Sequence, residues 1–364
     1  MKRISALLLT LLIGTSGAWT QGKISGLMYG DYFYNIARDT AFARTALPNS
    51  ALTGEKSLQG FQFRRIYFTY DHDISEQFSG RFRLEADQVA QTTDGKVSVF
   101  VKDAFLRWKN LFRGSDLVFG LQPTPAIEIV EAAWGYRSLE KTIVDLRGVA
   151  PSRDLGLALR GKVDTAGVFS YWALVANGSG NRPENDKYKR YYLGVHLRPI
   201  KNLQVMAYGD YAARAAKTNQ FSTDVPKETM SNGVMTYDAF VGYNEADKFS
   251  IGLEGFMVTA MNEYVPAGET AYKNRNATGI SVWATVNFQP DIAVVGRFDF
   301  LDPNTDAKIK GDARNYILGA FVWKPTKNVH LMPNVQVETY EAVPNGVAYD
   351  PSVTGRFTFA YFFQ

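Results

Sequence analysis

Charged side chains occupy alternate positions in one segment of the chain, in the order Arg81, Arg83, Glu85 and Asp87. In an extended strand, side chains two residues apart point to the same face, so these four share one side. Two carboxylates on one face could exchange protons with a substrate, and two guanidinium groups could bind an anion. A face this charged cannot be a packed core, and the lining of a water-filled pore is its commoner explanation.

Two arginines, Arg64 and Arg65, stand side by side in the preceding segment. Neighbouring residues of a strand face opposite sides, so the pattern predicts that only one of them lines the interior. The apolar residues that follow at alternate positions share the parity of Arg64, which assigns Arg65 to the interior and Arg64 to the rim. Two interpretations of Arg65, Arg81 and Arg83 stay open: a cationic strip beside a constriction, or ion pairs with nearby carboxylates that stabilise the fold.

These charged positions belong to a repeating pattern of about sixteen stretches that alternate apolar with polar or small side chains, from Lys23 to Gln364. The short joints between them are 72–77, 109–115, 164–166, 199–202, 244–247, 289–290 and 324–328. The long ones are 38–60, 90–96, 122–152, 177–189, 214–232, 261–275, 302–312 and 341–352. Short turns on one rim and long loops on the other are typical of an outer-membrane barrel. We therefore predict an all-β fold, a 16-stranded antiparallel transmembrane β-barrel wide enough for an aqueous channel.

The last strand shows the two faces most plainly. Its predicted lipid-facing row is Phe357, Phe359, Tyr361 and Phe363. The residues between them, including Thr358, are predicted to point into water, and the strand is expected to pair with the first one. The segment 314–323 cannot be assigned in this way, because it is apolar on both faces. A soluble β-sandwich also alternates, but it would not need sixteen regular strands with unequal rims.

Export and composition agree with a barrel. Residues 1–20 are predicted to be a signal peptide, with Lys2 and Arg3 before a short apolar run, which leaves 21–364 as the barrel domain. Removing those two cations lowers the formal charge from +4 to +2, which argues against a nucleic-acid binder. The absence of cysteine excludes a disulfide framework. Aromatic residues at 14 % with a mean hydropathy of −0.19 suit a polar lumen with aromatic girdles.

The connection 122–152 is the strongest candidate for a constriction. It contains an apolar run around Trp134 and Tyr136 that is unsuited to a free surface loop, and connections of this length are usually functional or disordered. Folding inward would bury both aromatic rings against the wall and present the loop's charges to the pore. The candidate constriction residues are Glu128, Glu131, Trp134, Tyr136, Arg137, Glu140, Lys141 and Arg147. The alternative is an external loop packed at a trimer contact.

Catalytic chemistry has little support in the sequence. The three histidines, His72, His196 and His330, have no metal-ligand spacing, and no Gly-x-Ser-x-Gly motif of a lipase is present. We therefore predict no catalytic residue, no metal and no cofactor. The remaining charged positions are interpreted as the wall of a pore. The candidate wall residues are Arg65, Arg81, Arg83, Glu85, Asp87, Arg107 and Arg160.

Several motifs resemble the phosphate-selective porin O and P family. They are GFQFRRIYF at 60–68, FSGRFRLEAD at 78–87, KDAFLRW at 102–108, FGLQPTP at 119–125, LEK at 139–141 and PSRDLG at 151–156. Their order and spacing match from about 60 to 165, although Phe105 replaces the tyrosine of the family's KDAY strand and Lys141 the arginine of its Glu-Arg pair. The resemblance implies a trimeric porin with sixteen strands, whose third loop folds into the pore.

The function expected from these features is passive diffusion of small hydrophilic solutes across a bacterial outer membrane, with mild anion preference. Acidic residues share the interior with the arginines. Such a mixed lining favours an electric field directed across the pore over a uniformly positive pore. Dedicated uptake of phosphate or polyphosphate and a non-conducting structural or adhesive barrel are the alternatives. The expected partners are outer-membrane lipid, lipopolysaccharide, small anions such as phosphate and two further copies of the chain, with no nucleic acid.

Overall fold

The computed structural model describes residues 22–39, 52–343, 346 and 348–364. Sixteen strands form one closed antiparallel barrel, which confirms the predicted fold. The first nine barrel strands are β1 (Lys23–Ala37), β2 (Gln59–Asp73), β3 (Phe78–Gln91), β4 (Val97–Phe112), β5 (Ser115–Pro123), β6 (Arg153–Lys162), β7 (Phe169–Ala176), β8 (Arg190–Ile200) and β9 (Leu203–Ala212). After a two-stranded hairpin of β10 (Lys217–Thr218) and β11 (Thr229–Met230), the barrel continues with β12 (Val234–Glu245), β13 (Phe249–Tyr264), β14 (Lys273–Gln289), β15 (Ile292–Asp302), β16 (Arg314–Thr326), β17 (Val329–Tyr340) and β18 (Ser352–Phe363).

The barrel closes between its first and last strands, as the sequence predicts. β1 pairs with β18 from Gly26 opposite Phe363 to Ala37 opposite Val353, so neither strand leaves an open edge. Loop 3, the connection 124–152, folds inward and contains α1 (Pro125–Trp134) and α2 (Ile143–Leu146). No helix among the described residues is long and apolar enough to cross a membrane. The predicted signal peptide lies outside the described residues.

The two faces of the last strand follow the predicted alternation. Phe357 and Tyr361 are 46 % and 44 % exposed on the outer surface, whereas Thr358 and Ala360 are buried on the inner one. The same alternation puts the outward side chains of every strand in a continuous apolar belt, with phenylalanine, tyrosine, leucine and valine prevailing. This belt is the surface that a lipid bilayer solvates.

The inner face of β16 is largely apolar beyond Arg314, which explains why the segment 314–323 shows no alternation. Leu318, Ala320 and Val322 point inward and are buried, while Ile317 and Phe321 point outward. Loop 3 lies across this part of the lumen, where α1 contacts β8, β9, β12 and β13, and α2 contacts β14. One side of the barrel is therefore a packed core of the kind found in soluble proteins.

Two aromatic rings lie flat on this inner wall because glycines on the next strand make room for them. A Cβ built on Gly252 would stand 2.3 Å from the Trp283 ring, and a Cβ on Gly279 would stand 2.4 Å from Phe256. Both distances are far below van der Waals contact, so no larger residue fits beneath either ring in this arrangement. The flattened rings leave the space that loop 3 occupies.

A β-bulge at Arg64 overturns the prediction that only one of the paired arginines lines the interior. Tyr29 pairs with Arg65 and Gly30 pairs with Phe63, so Arg64 is an extra residue in β2. Both guanidinium groups consequently point inward: Arg64 Nε is 2.6 Å from Asp31 Oδ2, and Arg65 Nε is 2.9 Å from Glu85 Oε1. A bulge breaks the period of two on which the assignment depended.

A second bulge places another cation inside the barrel. Arg83 pairs with Asp103 and Leu84 pairs with Val101, so Lys102 is the extra residue of β4. Its Nζ lies 2.9 Å from Glu85 Oε2 and the side chain is 8 % exposed. The two bulges thus add Arg64 and Lys102 to the lumen wall without displacing the outward residues on either side of them.

The two faces of β18 can be tested with one substitution and its control. We expect Phe359→Arg to cost about 2 to 4 kcal/mol of unfolding free energy if the site lies near the bilayer midplane, because the charge would face lipid. Phe359→Leu should cost far less. Reversible unfolding in lipid measures both, and an arginine variant as stable as the leucine variant would contradict the outward assignment.

The prediction that Thr358 points into water is wrong, so Thr358→Arg is not expected to be tolerated. Thr358 points inward, but it is fully buried rather than wet. Its hydroxyl donates to Asp31 Oδ1 at 2.6 Å and accepts from Asn334 Nδ2 at 2.9 Å. An arginine there would lose both bonds and overpack the site, so it is no control for Phe359.

Candidate functional site

Loop 3 leaves the wall at a sharply defined point. Pro123 and Arg153 pair directly across β5 and β6, and the Thr124 hydroxyl donates to the Pro151 carbonyl at 2.6 Å. Pro125 then occupies the first helical position, where its missing N–H costs nothing. Gly135 ends α1 in the left-handed conformation, with φ 71°. Loop 3 is therefore a helix-containing insertion into the β5–β6 hairpin, and its two ends are hydrogen-bonded to each other.

The buried face of α1 explains why the helix lies against the wall. Ala126, Ile127, Val130 and Trp134 are spaced for one face of a helix and are at most 1 % exposed. The Trp134 ring meets Trp283 edge to face at a centroid distance of 5.6 Å and meets Tyr136 at 5.8 Å. Both loop aromatics are buried, as the sequence predicts.

Main-chain carbonyls of the segment after α1 are held by side chains of three different strands. Arg64 of β2 donates to the Ser138 carbonyl, and Arg297 of β15 donates to the Lys141 carbonyl. Gln336 of β17 donates to the Leu139 carbonyl at 3.4 Å. Loop 3 therefore spans the lumen and is attached on its far side.

Two ion pairs reinforce this attachment. Arg147 Nη1 lies 2.8 Å from Glu338 Oε1, and both side chains are at most 1 % exposed. Glu140 lies between Arg356 at 3.4 Å and Arg64 at 3.8 Å. Breaking a pair buried as completely as the first leaves an uncompensated charge, which is far more costly than losing a surface pair.

Two acidic residues of loop 3 stay ionised because cations enclose them. Burial raises the pKa of Glu140, but Arg64 and Arg356 outweigh it, and the net pKa lies below the ordinary value. Burial opposes ionisation of Asp145 in the same way, and Arg137 at 2.7 Å lowers its pKa. Arg137 also pairs with Glu131, so this one arginine joins α1 to α2 through two ion pairs.

Loop 3 should consequently stay attached to the barrel wall in mild acid. A carboxyl whose pKa is lowered by docking stabilises the docked state above its undocked pKa, and this stabilisation is lost as the pH falls through the docked pKa. Titration of Glu140 and Asp145 should therefore leave the conductance constant from neutral pH down to about pH 4, the ordinary range of carboxyl pKa values, and disturb it only below that range. Planar-bilayer recordings across this range test the expectation. A change of conductance near pH 6 would contradict it.

The wall opposite loop 3 is a ladder of ion pairs. Glu85 accepts from Arg65 and Lys102, both at 2.9 Å. Asp103 pairs with Arg83 at 3.2 Å and also with Arg153. Further along the wall, Arg81 binds Asp71 at 2.7 Å and Arg107 binds Asp116 at 2.5 Å. Of the two interpretations of the wall arginines, ion pairing is thus present in the structure, and a paired arginine still shapes the local field.

Arg160 differs from the other predicted wall arginines. It forms no ion pair with any residue that the structure describes, and its guanidinium lies over the Trp172 ring, 5.0 Å from the centroid. Two cavities of about 470 and 430 Å³ share Arg160 and Arg107 in their walls. Residues next to the short turns line the two cavities. The cavities therefore form an open vestibule at the end of the barrel that is periplasmic in barrels of this kind.

The predicted acidic residues fall in different places. Glu128 is exposed on α1 and lines the smaller cavity together with Arg81. Asp87 instead accepts from the backbone N–H groups of Val89 and Ala90 near the other end of β3. Glu128 therefore faces the wall arginines across water, whereas Asp87 shapes its own strand.

Sequence reasoning missed the residues that attach loop 3 to its far wall, namely Arg64, Arg297, Gln336, Glu338 and Arg356. Each lies far from loop 3 in sequence, and nothing in the spacing indicates contact. The adjacent pairs Arg64-Arg65 and Lys102-Asp103 are the one visible signal, because two neighbouring charges inside an alternating strand are compatible with a bulge. Among the described residues, no three His, Cys, Asp or Glu side chains converge as metal ligands.

The comparisons establish the fold. The outer-membrane channel DcaP of Acinetobacter baumannii has a TM-score of 0.66 at 12 % identity, over 96 % of this chain and 99 % of that one. The anion-selective porin of Comamonas acidovorans has a TM-score of 0.61 at 10 % identity, over 94 % and 99 %. The trimer form of OmpT of Vibrio cholerae has a TM-score of 0.59 at 12 % identity, over 94 % and 99 %. No family model and no curated protein sequence matches the chain.

Likeness at these identities shows a shared architecture. The expected kinship with the phosphate-selective family gains no support from it beyond the general porin fold. The closed barrel of sixteen strands, its apolar outer belt and its inward loop 3 are all accounted for. The protein thus has the fold of the outer-membrane porins.

Proposed function

We propose that the protein is a porin through which small hydrophilic solutes diffuse passively. The observation that carries this proposal is the open vestibule between α1 and the charged wall. α1 packs on β8, β9, β12 and β13, whereas Glu128 on α1 and the arginines Arg81, Arg107 and Arg160 of the wall line the vestibule. A solute crossing the barrel would pass between Glu128 on α1 and the arginines of the wall.

The same arrangement supports mild anion preference. Most wall cations are matched by a carboxylate, so the wall is nearly neutral as a whole, and Arg160 supplies positive charge without an acidic partner among the described residues. A nearly balanced wall with an unmatched guanidinium at Arg160 favours anions only weakly. No catalytic role is proposed for any residue.

Single-channel recording with a salt gradient tests the preference. Arg160→Glu should move the reversal potential toward cation selectivity, and the shift should grow at low salt, where the Debye length reaches about 30 Å at 0.01 M. Arg160→Gln should give about half of that shift, because it removes one charge instead of reversing it. A reversal potential unchanged in Arg160→Glu would show that this side chain lies outside the ion path.

Charge reversal of Arg65, Arg81 and Arg83 is a less direct test of anion preference than substitution of Arg160. Each of these arginines has a carboxylate partner within 3.2 Å, so a glutamate there would also create a like-charge cluster. Neutral substitutions of both partners, such as Arg81→Gln with Asp71→Asn, leave the net charge unchanged. They should leave the reversal potential nearly unchanged too.

A non-conducting barrel is the second candidate function, and the attachment of loop 3 favours it. The loop is held at both ends and on the far wall, and the side chains of its central segment are largely buried. The conductance measurement distinguishes the two functions, because a plugged barrel would pass no current after insertion into a bilayer. Dedicated phosphate uptake is less well supported, since it requires a denser row of unmatched cations than the described lumen offers.

We propose a homotrimer as the assembly, in contact with outer-membrane lipid and lipopolysaccharide. The trimer form of the Vibrio cholerae protein, which shares this architecture, supports the stoichiometry. The apolar outer belt supports the lipid contact. Cross-linking in native membranes measures the stoichiometry directly.

A further inference from the structure

Two acidic side chains lie between loop 3 and the wall, and neither has a hydrogen-bond partner among the residues that the structure describes. Asp238 on β12 and Glu254 on β13 point into the lumen and are 4 % and 0 % exposed. All four of their carboxylate oxygens lack a hydrogen bond within the described parts of the chain. Ile143, the first residue of α2, lies next to Glu254.

The two carboxylates are neighbours. Asp238 pairs with Phe256 and Glu254 pairs with Phe240, so the acids are diagonal across the same two strands and on the same face. Phe240, Phe256 and Trp283, each at most 3 % exposed, surround them on the wall. The site is therefore dry on the wall side and covered by loop 3 on the other.

A hydroxyl group completes the cluster. Ser281 on β14 pairs directly with Glu254 and is fully buried. Its Oγ has no hydrogen-bond partner among the described residues, although a buried hydroxyl ordinarily has one. A serine oxygen with no partner, next to a carboxylate with no partner, indicates that something between them is bound by both.

The guanidinium of Arg297 on β15 lies nearby but does not neutralise Asp238 and Glu254. Arg297 binds Asp299 with two hydrogen bonds of 2.8 and 2.5 Å and donates its remaining group to loop 3. When Asp238, Glu254 and Asp299 are ionised, three negative charges face one positive charge. The excess of two negative charges cannot stay buried without compensation.

We propose that Asp238, Glu254 and Ser281 bind one hard divalent cation, Ca²⁺ being the probe, beneath loop 3. A divalent ion matches the excess charge, and carboxylate and hydroxyl oxygens are the ligands that such an ion prefers. Two protons would also cancel the charge, and the experiment below distinguishes them from an ion. Water completes the ion's shell. Because all three ligands belong to the wall, the ion neutralises the surface on which loop 3 rests.

The experiment uses the full chain refolded in detergent free of lipopolysaccharide, whose phosphates would otherwise bind the probe. Tb³⁺ is added to the chelator-treated protein and excited through tryptophan, since Trp283 is two residues from Ser281 in β14. We expect sensitised luminescence that saturates at one ion per chain and disappears on competition with Ca²⁺. We also expect a lower melting temperature in EDTA than in Ca²⁺.

Asp238→Asn with Glu254→Gln should abolish the luminescence and make the melting temperature independent of Ca²⁺. The control, Asp94→Asn with Glu184→Gln, removes the same charge from exposed loops and should behave as the wild type. Full luminescence in the double variant would overturn the proposal by placing the ion elsewhere. A wild type with neither luminescence nor a Ca²⁺ effect would overturn it as well, in favour of a protonated pair, and this measurement stands even if the variant does not fold.

Discussion

Replacing residues 125–151 by an Asn-Gly turn should raise the single-channel conductance several fold while the barrel remains folded. Pro123 and Arg153 already pair across β5 and β6, and Thr124 N–H donates to the Ser152 carbonyl at 3.3 Å, so a two-residue turn closes the hairpin without strain. Loop 3 lies inside the lumen, and its removal opens the part of the lumen's cross-section that α1 fills. Recording in planar bilayers gives the conductance.

A matched control separates the open lumen from a damaged wall. The shortened chain exposes Phe240, Phe256 and Trp283 to water, so a second variant should also carry Phe240→Ser and Phe256→Ser. Both variants should conduct alike and keep the strand content of the wild type by circular dichroism. An unchanged conductance in a folded variant would show that loop 3 does not restrict the ion path.

Arg297→Met should cost about 3 to 5 kcal/mol of unfolding free energy, the range for removing one partner of a buried ion pair. Arg297 is 4 % exposed and holds Asp299 with two hydrogen bonds. Its guanidinium also lies 5.4 Å from the centroid of the Trp134 ring and 5.7 Å from that of Tyr316. The substitution therefore removes an ion pair, two ring contacts and one attachment of loop 3 together. Denaturant unfolding in lipid measures the loss.

Two further variants show which of these contributions dominates. Arg297→Lys keeps the charge but cannot form two parallel hydrogen bonds, so its stability should fall between wild type and Arg297→Met. Arg297→Met with Asp299→Asn removes the unpaired acid and should recover much of the loss. An Arg297→Met protein within about 1 kcal/mol of the wild type would disprove the role of this pair, because that is the range of an exposed pair.

The strands are predictable from the sequence because each one must hydrogen-bond its backbone within the sheet. Its side chains must also face lipid and lumen in turn. The predicted short joint 199–202 corresponds to a turn at 201–202, and the predicted long joint 122–152 to a connection of 124–152. The C-terminal row from Phe357 to Phe363 is placed correctly for the same reason. Alternation is a local property, and local properties are readable from one sequence.

The interior is harder to predict, because it depends on which residues meet across the lumen. Thr358 is inward yet dry, and Leu318 is apolar although it faces the lumen, since other parts of the chain fill the space beside them. The Arg64 bulge depends on pairing with β1, which parity within β2 cannot reveal. The partners of loop 3 are set by folding of the whole chain, so no spacing in the sequence identifies them.

The bulge at Arg64 has a consequence for how such a barrel tolerates changes of chain length. Losing one residue from a regular strand exchanges its two faces beyond that point, and every lipid-facing side chain there would turn to water. At the bulge the order is outward Phe63, inward Arg64, inward Arg65 and outward Ile66, so a chain that lacks Arg64 alternates without a fault. The strand therefore contains a position where one codon can be lost or gained without exchanging its lipid-facing and inward-facing side chains. Evolution could add or remove a charge of the pore at this place by a length change alone.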